Sequence, residues 1–154
     1  MFNIVLFQPD IALNVGAAIR LSACFSCKLH IIEPCGFPYD VKKIKQAALD
    51  YLDKVEIIRH TSFAAFLDYV KNNPGNISLL TTKTEQPYYE HSFKPGDYLL
   101  FGSESAGVNR EVREKISNHL KIPLNSECRS LNLSTSIALI LGEALRQNKF
   151  FSFK

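Results

Sequence analysis

The sequence predicts an α/β protein whose parallel sheet is covered by helices on both faces. Three observations carry that expectation. Short apolar runs and helix-period segments alternate along the whole chain. The strand candidates are near-continuous apolar runs, as in NIVLF (3–7), ISLLTT (77–82) and DYLLFG (97–102), which marks strands buried on both faces. No repeat, low-complexity segment or break in composition divides the 154 residues, so 1–154 reads as one domain. A chain of this length buries about two-thirds of its unfolded surface and needs no staple to fold.

Residues 3–7 read as the first strand, turning at Pro9 and Asp10. A helix follows from Asn14, a plausible N-cap, with Val15, Ala18, Ile19, Ser22 and Ala23 at spacings of three and four. KLHIIE (28–33) is the second strand, closed by Pro34 and Gly36. Residues 40–52 form a basic amphipathic helix with Lys42, Lys43 and Lys45 outward, and VEII (55–58) is the third strand. Thr61 or Ser62 caps a helix carrying Phe63, Phe66, Leu67 and Val70, stopped by the Asn-Asn-Pro-Gly at 72–75. Residues 77–82 and 97–102 are the fourth and fifth strands, joined by a loop. A helix over 109–118 leads to a short strand ending at Ile122 and Pro123, a polar loop and the last helix. That helix is apolar nearly all round, with Leu139, Ile140 and Leu141 consecutive. Either it sits deep in the domain or a second copy covers its other face.

Composition narrows the function classes. Hydrophobic residues make up 46% and charged residues 21%, as in ordinary globular proteins. No run approaches the roughly 20 apolar residues of a membrane span. The opening MFNIVLFQPD lacks a secretory pattern, so a cytoplasmic protein is expected. The net charge of +3 permits a nucleic-acid partner without demanding one. Cys24 and Cys27 have metal-like spacing, with His30 and Cys35 near, but no second Cys-x-x-Cys closes a site. The four cysteines read as buried thiols, and no metal is expected. Neither a Rossmann glycine fingerprint nor a P-loop is present, and the four histidines have no obvious nucleophile partner.

In a parallel sheet, ligands sit beyond the carboxyl ends of the strands. Three polar segments lie at strand ends or helix starts. NVGAAIR (14–20) places Asn14 at a helix start and Arg20 almost two turns on. FGSESAGV (101–108) follows a strand, with Gly102 leaving room at the backbone and Glu104 and Ser105 beside it. RSLNLS (129–134) offers a cation, a hydroxyl and an amide at a helix N-terminus. Singly, each also fits a capped helix or a plain strand-to-helix loop.

Together, in this order, the three segments resemble the motifs N-x-G-x-x-x-R, F-G-x-E-x-x-G and I-P-(x)-R-S-L-N-L-S of the SpoU-type RNA ribose 2′-O-methyltransferases of the SPOUT superfamily. The resemblance spans almost the whole chain. The opening NIVLFQPDIALNVG and the segment LHIIEPCGFPYD match the short, single-domain branch acting on the wobble nucleotide of tRNA. It implies a C-terminal trefoil knot, which general fold rules would never propose. It also implies S-adenosylmethionine held at Leu80, Gly102, Ile122, Ser130 and Leu131, a homodimer, and the tRNA anticodon stem-loop as partner. Arg20 falls near the attacking hydroxyl, with Asn14, Glu104, Arg129 and Asn132 orienting it, the RNA or the cofactor. The family gives Arg20 a base-like role. Because free arginine stays protonated below pH about 12, a phosphate clamp that lowers the hydroxyl's pKa is the other role open. Lys42, Lys43, Lys45, Lys83, Arg110 and Arg113 are candidate phosphate contacts. Near relatives commonly carry an aromatic residue where this chain has Gly142, which puts the precise substrate in doubt. The alternatives are the same chemistry on another RNA, or a non-catalytic RNA-binding module on the same scaffold.

Overall fold

Strand and helix alternate as expected. The computed structural model describes residues 1–38, 44, 46 and 48–149. The elements run β1 (Asn3–Phe7), α1 (Ala12–Cys24), β2 (Lys28–Ile32), a 3-10 segment (Leu49–Lys54), β3 (Ile57–His60), α2 (Phe63–Asn72), β4 (Ile77–Leu80), β5 (Tyr98–Phe101), α3 (Arg110–Lys115), β6 (Asn118–Leu120) and α4 (Leu133–Gln147). All six strands pair in parallel, in the order β3-β2-β1-β5-β4-β6. Lys42, Lys43 and Lys45 lie outside the described residues, as do 150–154 of the apolar tail.

Alternation along the strands divides the core. Ile4, Leu6, Leu29, Ile31, Leu99 and Phe101 face α1 and α4, where Val15, Ala18, Ile19, Ile137, Ile140 and Leu141 meet them. Val5, Phe7, Leu100 and Tyr98 face the other way, toward Phe66, Val112 and Ile116. Both faces are therefore dry. No helix among the described residues is long and apolar enough to cross a membrane.

Four expectations are corrected. Helix α1 begins two residues early, with Ile11 at the cap and no side-chain cap bond, so Asn14 lies inside the first turn. Its amide turns to tertiary partners instead, as described below. The third strand is Ile57–His60 rather than 55–58, because the pairing of Leu29 with Ile57 and Ile32 with His60 carries the register onward. The last strand stops at Leu120, and Lys121 bridges to Pro87. The thiols are not uniformly buried. Cys27 is, and burial pushes it up to about 11, but Cys24 at the end of α1 and Cys128 in the loop between β6 and α4 are exposed. Ser62, not Thr61, caps α2, accepting from the Ala65 N–H at 3.1 Å.

Helix α4 shows where its apolar excess goes. Leu133, Ile137, Ile140, Leu141, Ala144 and Leu145 are buried within the chain. Leu139 on the opposite side stays 40% exposed, and Leu13 at the start of α1 is 72% exposed.

Candidate active site at the carboxyl ends of β4, β5 and β6

A cavity of about 560 Å³ opens beyond the carboxyl ends of β4, β5 and β6. Leu79 to Lys83 form one wall, Phe101 to Val108 another, and Ile122, Leu124 and Arg129 to Leu133 a third. Ile11, Asn14, Arg113 and Ser136 complete it. Leu80, Gly102, Ile122, Ser130 and Leu131, the positions expected to hold the cofactor, all line this one cavity, as do Asn14, Glu104, Arg129 and Asn132.

Side-chain bonds tie the three segments together. The Asn14 amide donates to Glu104 Oε1 at 2.8 Å, and the backbone N–H of Asp10 donates to Glu104 Oε2 at 2.8 Å. The Asn132 amide donates to Asn14 Oδ1 at 3.2 Å. Asn132 Oδ1 in turn accepts from the N–H of Ser134 at 2.9 Å, capping α4. A second strap runs back from the β5 loop. The Ser105 N–H and hydroxyl donate to Asp10 Oδ2 at 2.9 and 2.6 Å, which holds the Asp10 carboxyl below the usual carboxylate range. Both oxygens of Glu104 are engaged, so it acts as a strut between segments. Of this strap the motifs hold Ser105 but not Asp10, although Asp10 stands just after a strand, where the carboxyl-end rule directs attention.

The loop after β5 is shaped by two glycines. Ser103 and Gly107 exchange backbone bonds of 3.0 and 2.8 Å, folding the loop back on itself. A Cβ on Gly102 would lie 2.4 Å from the Gly107 carbonyl carbon, and Gly107 has φ +68°. Gly102→Ala therefore displaces the wall of the cavity. The expected cost is about 1–3 kcal/mol, read as a tenfold to hundredfold weaker S-adenosylmethionine Kd by calorimetry. An unchanged Kd would place the donor elsewhere.

The SpoU rRNA methylase family matches residues 1–142. The chain belongs to this family. A tRNA (cytidine(34)-2′-O)-methyltransferase of Beijerinckia indica is 44% identical to it over 144 residues, covering 94% of this chain and 90% of the relative. One of the same name from Saccharophagus degradans is 40% identical over 156 residues, covering both chains entirely. A solved structure described as giving insights into the 2-OH methylation of C/U34 on tRNA superposes with a TM-score of 0.92 at 39% identity, covering 97% of each chain. The AdoMet complex of the SpoU methyltransferase AviRb from Streptomyces viridochromogenes, 22% identical, shares the fold with a TM-score of 0.86, covering 96% of this chain and 57% of its own.

In this SpoU methylase, one expected site residue stands apart. Arg20 is exposed on α1, outside the cavity lining, with its guanidinium 5.6 Å from the centre of the Tyr51 ring. Two of the candidate phosphate contacts, Lys83 and Arg113, line the cavity, whereas Arg110 is paired with Glu114 outside it.

Proposed function

We propose that this chain methylates the ribose 2′-hydroxyl of the wobble nucleotide, cytidine or uridine 34, of tRNA. It is an S-adenosylmethionine-dependent RNA 2′-O-methyltransferase, and S-adenosylhomocysteine is the product. The observation that carries the reading is the convergence of three segments, far apart in sequence, on one cavity through the Asn14–Glu104–Asn132 bonds. The residues present suit the donor. Leu79, Leu80, Val108, Ile122 and Leu131 offer apolar walls for an adenosine, and the Gly102–Gly107 backbone allows close approach. We assign Leu80, Gly102, Ile122, Ser130 and Leu131 to holding it.

When bound, S-adenosylmethionine supplies a methyl group already activated by its sulfonium charge. The protein must align the ribose hydroxyl and relieve it of its proton. Alignment alone supplies about 7–11 kcal/mol. Asn14, Glu104 and Asn132 fix the relative placement of the walls, and Arg129 faces the cavity as a cation. Arg20 meets the RNA from outside its own chain's cavity, as base or as clamp on the adjacent phosphate. Arg20→Lys is expected to lower kcat at least about tenfold, since an ammonium lacks the fork and the guanidinium chemistry alike. Near-full turnover would remove both roles.

We infer the family's knot for 121–132, which leaves edge strand β6, lines one cavity with the segments after β4 and β5, and reaches α1 through the Asn132–Asn14 bond. The exposed Leu13 and Leu139 favour a homodimer through α1 and α4. Leu139→Glu is expected to shift sedimentation toward the monomer, and an unmoved dimer would place the interface elsewhere. The anticodon stem-loop is the part of tRNA offered to the paired cavities, and the enzyme works in the cytoplasm with its substrate. Mass spectrometry of tRNA nucleosides from cells with and without the gene tests the substrate. Loss of the wobble 2′-O-methyl signal is expected, and an unchanged signal would remove it.

A further inference from the structure

The cavity wall carries more positive charge than its donor can use. Lys83, Arg113 and Arg129 all line it. Among the described residues none of the three is ion-paired, whereas their neighbours Arg110, Lys115 and Lys121 pair with Glu114, Glu111 and Glu85. Glu104 is the carboxylate of the lining, and both its oxygens are already taken. The donor brings a sulfonium and an ammonium against one carboxylate, so it is itself a net cation. Like charges sharing a half-enclosed wall repel more strongly than in bulk water. The donor's single carboxylate carries one negative charge and leaves at least two of the three positive charges unneutralised.

Lys83 and Arg113 are two of the three cations of that lining. Lys83 is exposed just beyond β4. Arg113 is half-buried in the last turn of α3, and its backbone carbonyl accepts from His119 Nε2 at 3.0 Å, which anchors that turn to β6. An ammonium from the segment after β4 and a guanidinium from α3, lining one cavity, suit a phosphate, the guanidinium by its paired donors. Resting on the methyltransferase reading above, we propose that Lys83 and Arg113 hold a backbone phosphate of the RNA across the mouth of the cavity, so that RNA and S-adenosylmethionine strengthen each other's binding. The phosphate neutralises the wall that the cationic donor otherwise faces. By linkage, the donor raises RNA affinity by the same factor. S-adenosylhomocysteine lacks the sulfonium charge and gains less from the RNA.

Calorimetry of S-adenosylmethionine and S-adenosylhomocysteine, with and without an anticodon stem-loop RNA, tests this on the wild type, Lys83→Gln and Arg113→Gln. Lys115→Gln, paired with Glu111 outside the cavity, is the control. The stem-loop is expected to tighten S-adenosylmethionine about fivefold in the wild type and the control. Each cavity variant should lose that coupling, weaken RNA binding, and lower its salt slope by about 1, while binding free donor no worse. Arg113→Gln weakening both donors equally without RNA would mean that it holds the donor carboxylate, and would overturn the proposal. So would variants that keep full RNA affinity and coupling while the wild type methylates the stem-loop. A wild type that neither binds nor methylates it would remove the methyltransferase reading itself, and the proposal with it.

Discussion

Glu104→Ala is expected to lower kcat/KM for methyl transfer by about 100-fold or more while the protein still folds. The carboxylate receives the Asp10 N–H and the Asn14 amide at 2.8 Å each. Hydrogen bonds to a charged group are worth about 1.5–3 kcal/mol each, and donors left partly buried without an acceptor add to the loss. The sum, roughly 3–6 kcal/mol, falls on the relative position of the three walls rather than on the core, because Glu104 is not among the residues packed between sheet and helices. Glu104→Gln keeps one acceptor oxygen and should fall between the wild type and the alanine variant. Single-turnover transfer from labelled S-adenosylmethionine, with a thermal melt to check folding, measures the effect. Near-normal transfer by the alanine variant would show that the strut is dispensable.

The second large effect is on stability in acid. His30 and His60 lie buried side by side, Nδ1 of the first 3.0 Å from Nε2 of the second, with Phe66, Tyr69 and Tyr98 edge-on around His30. Burial, helped by the nearby His60 and Lys28, pushes His30 down to about 3, and burial lowers His60 as well. An unfolded histidine titrates near 6.5. Between those values the unfolded chain binds a proton that the folded chain refuses, so the folded state is fully favoured above pH 6.5 and loses ground as pH falls toward 3. His30 alone accounts for on the order of 4 kcal/mol over that span, and about 1.5 kcal/mol between pH 6.5 and 5. Carboxylates such as Glu143, held down to about 2 by its bonds to Arg146 and Gln147, contribute only at lower pH. Urea midpoints should therefore drop between pH 6.5 and 5 in the wild type and much less in His30→Asn. A flat wild-type profile over that range would contradict a neutral buried pair.

The fold was legible where local pattern decides it. Apolar runs such as 3–7 and 97–102 announce strands wetted on neither face, and Thr61-Ser62 announces the helix that Ser62 caps, whereas the helix expected over 109–118 ends at Lys115 and Asn118 already belongs to β6. Strand order was not legible, because β1 beside β5 is a pairing across more than 90 residues that no local rule reports. The same limit explains the histidines. Residues 30 and 60 meet only because β2 and β3 pair with Ile32 against His60. At the site, Gly102, Ile122, Ser130 and Asn14 can be named from three motifs, but the reading of Asn14 as a helix cap fails. Its local chemistry argues for a cap, and the carboxylate of Glu104, 90 positions away, outbids the backbone for its amide. The position of Arg20 turns on the rotation of α1 against the sheet, which the sequence leaves free, and the helix carries it to Tyr51 rather than into the cavity.

The most direct measurement uses two anticodon stem-loops that differ at a single atom. One carries the ribose 2′-hydroxyl at the wobble nucleotide and the other a 2′-deoxyribose, each incubated with labelled S-adenosylmethionine and this protein. The ribose substrate should gain one methyl group on that sugar, and the deoxy substrate should bind and gain none. A methyl group appearing on the deoxy substrate, or on a base of either, would contradict the account.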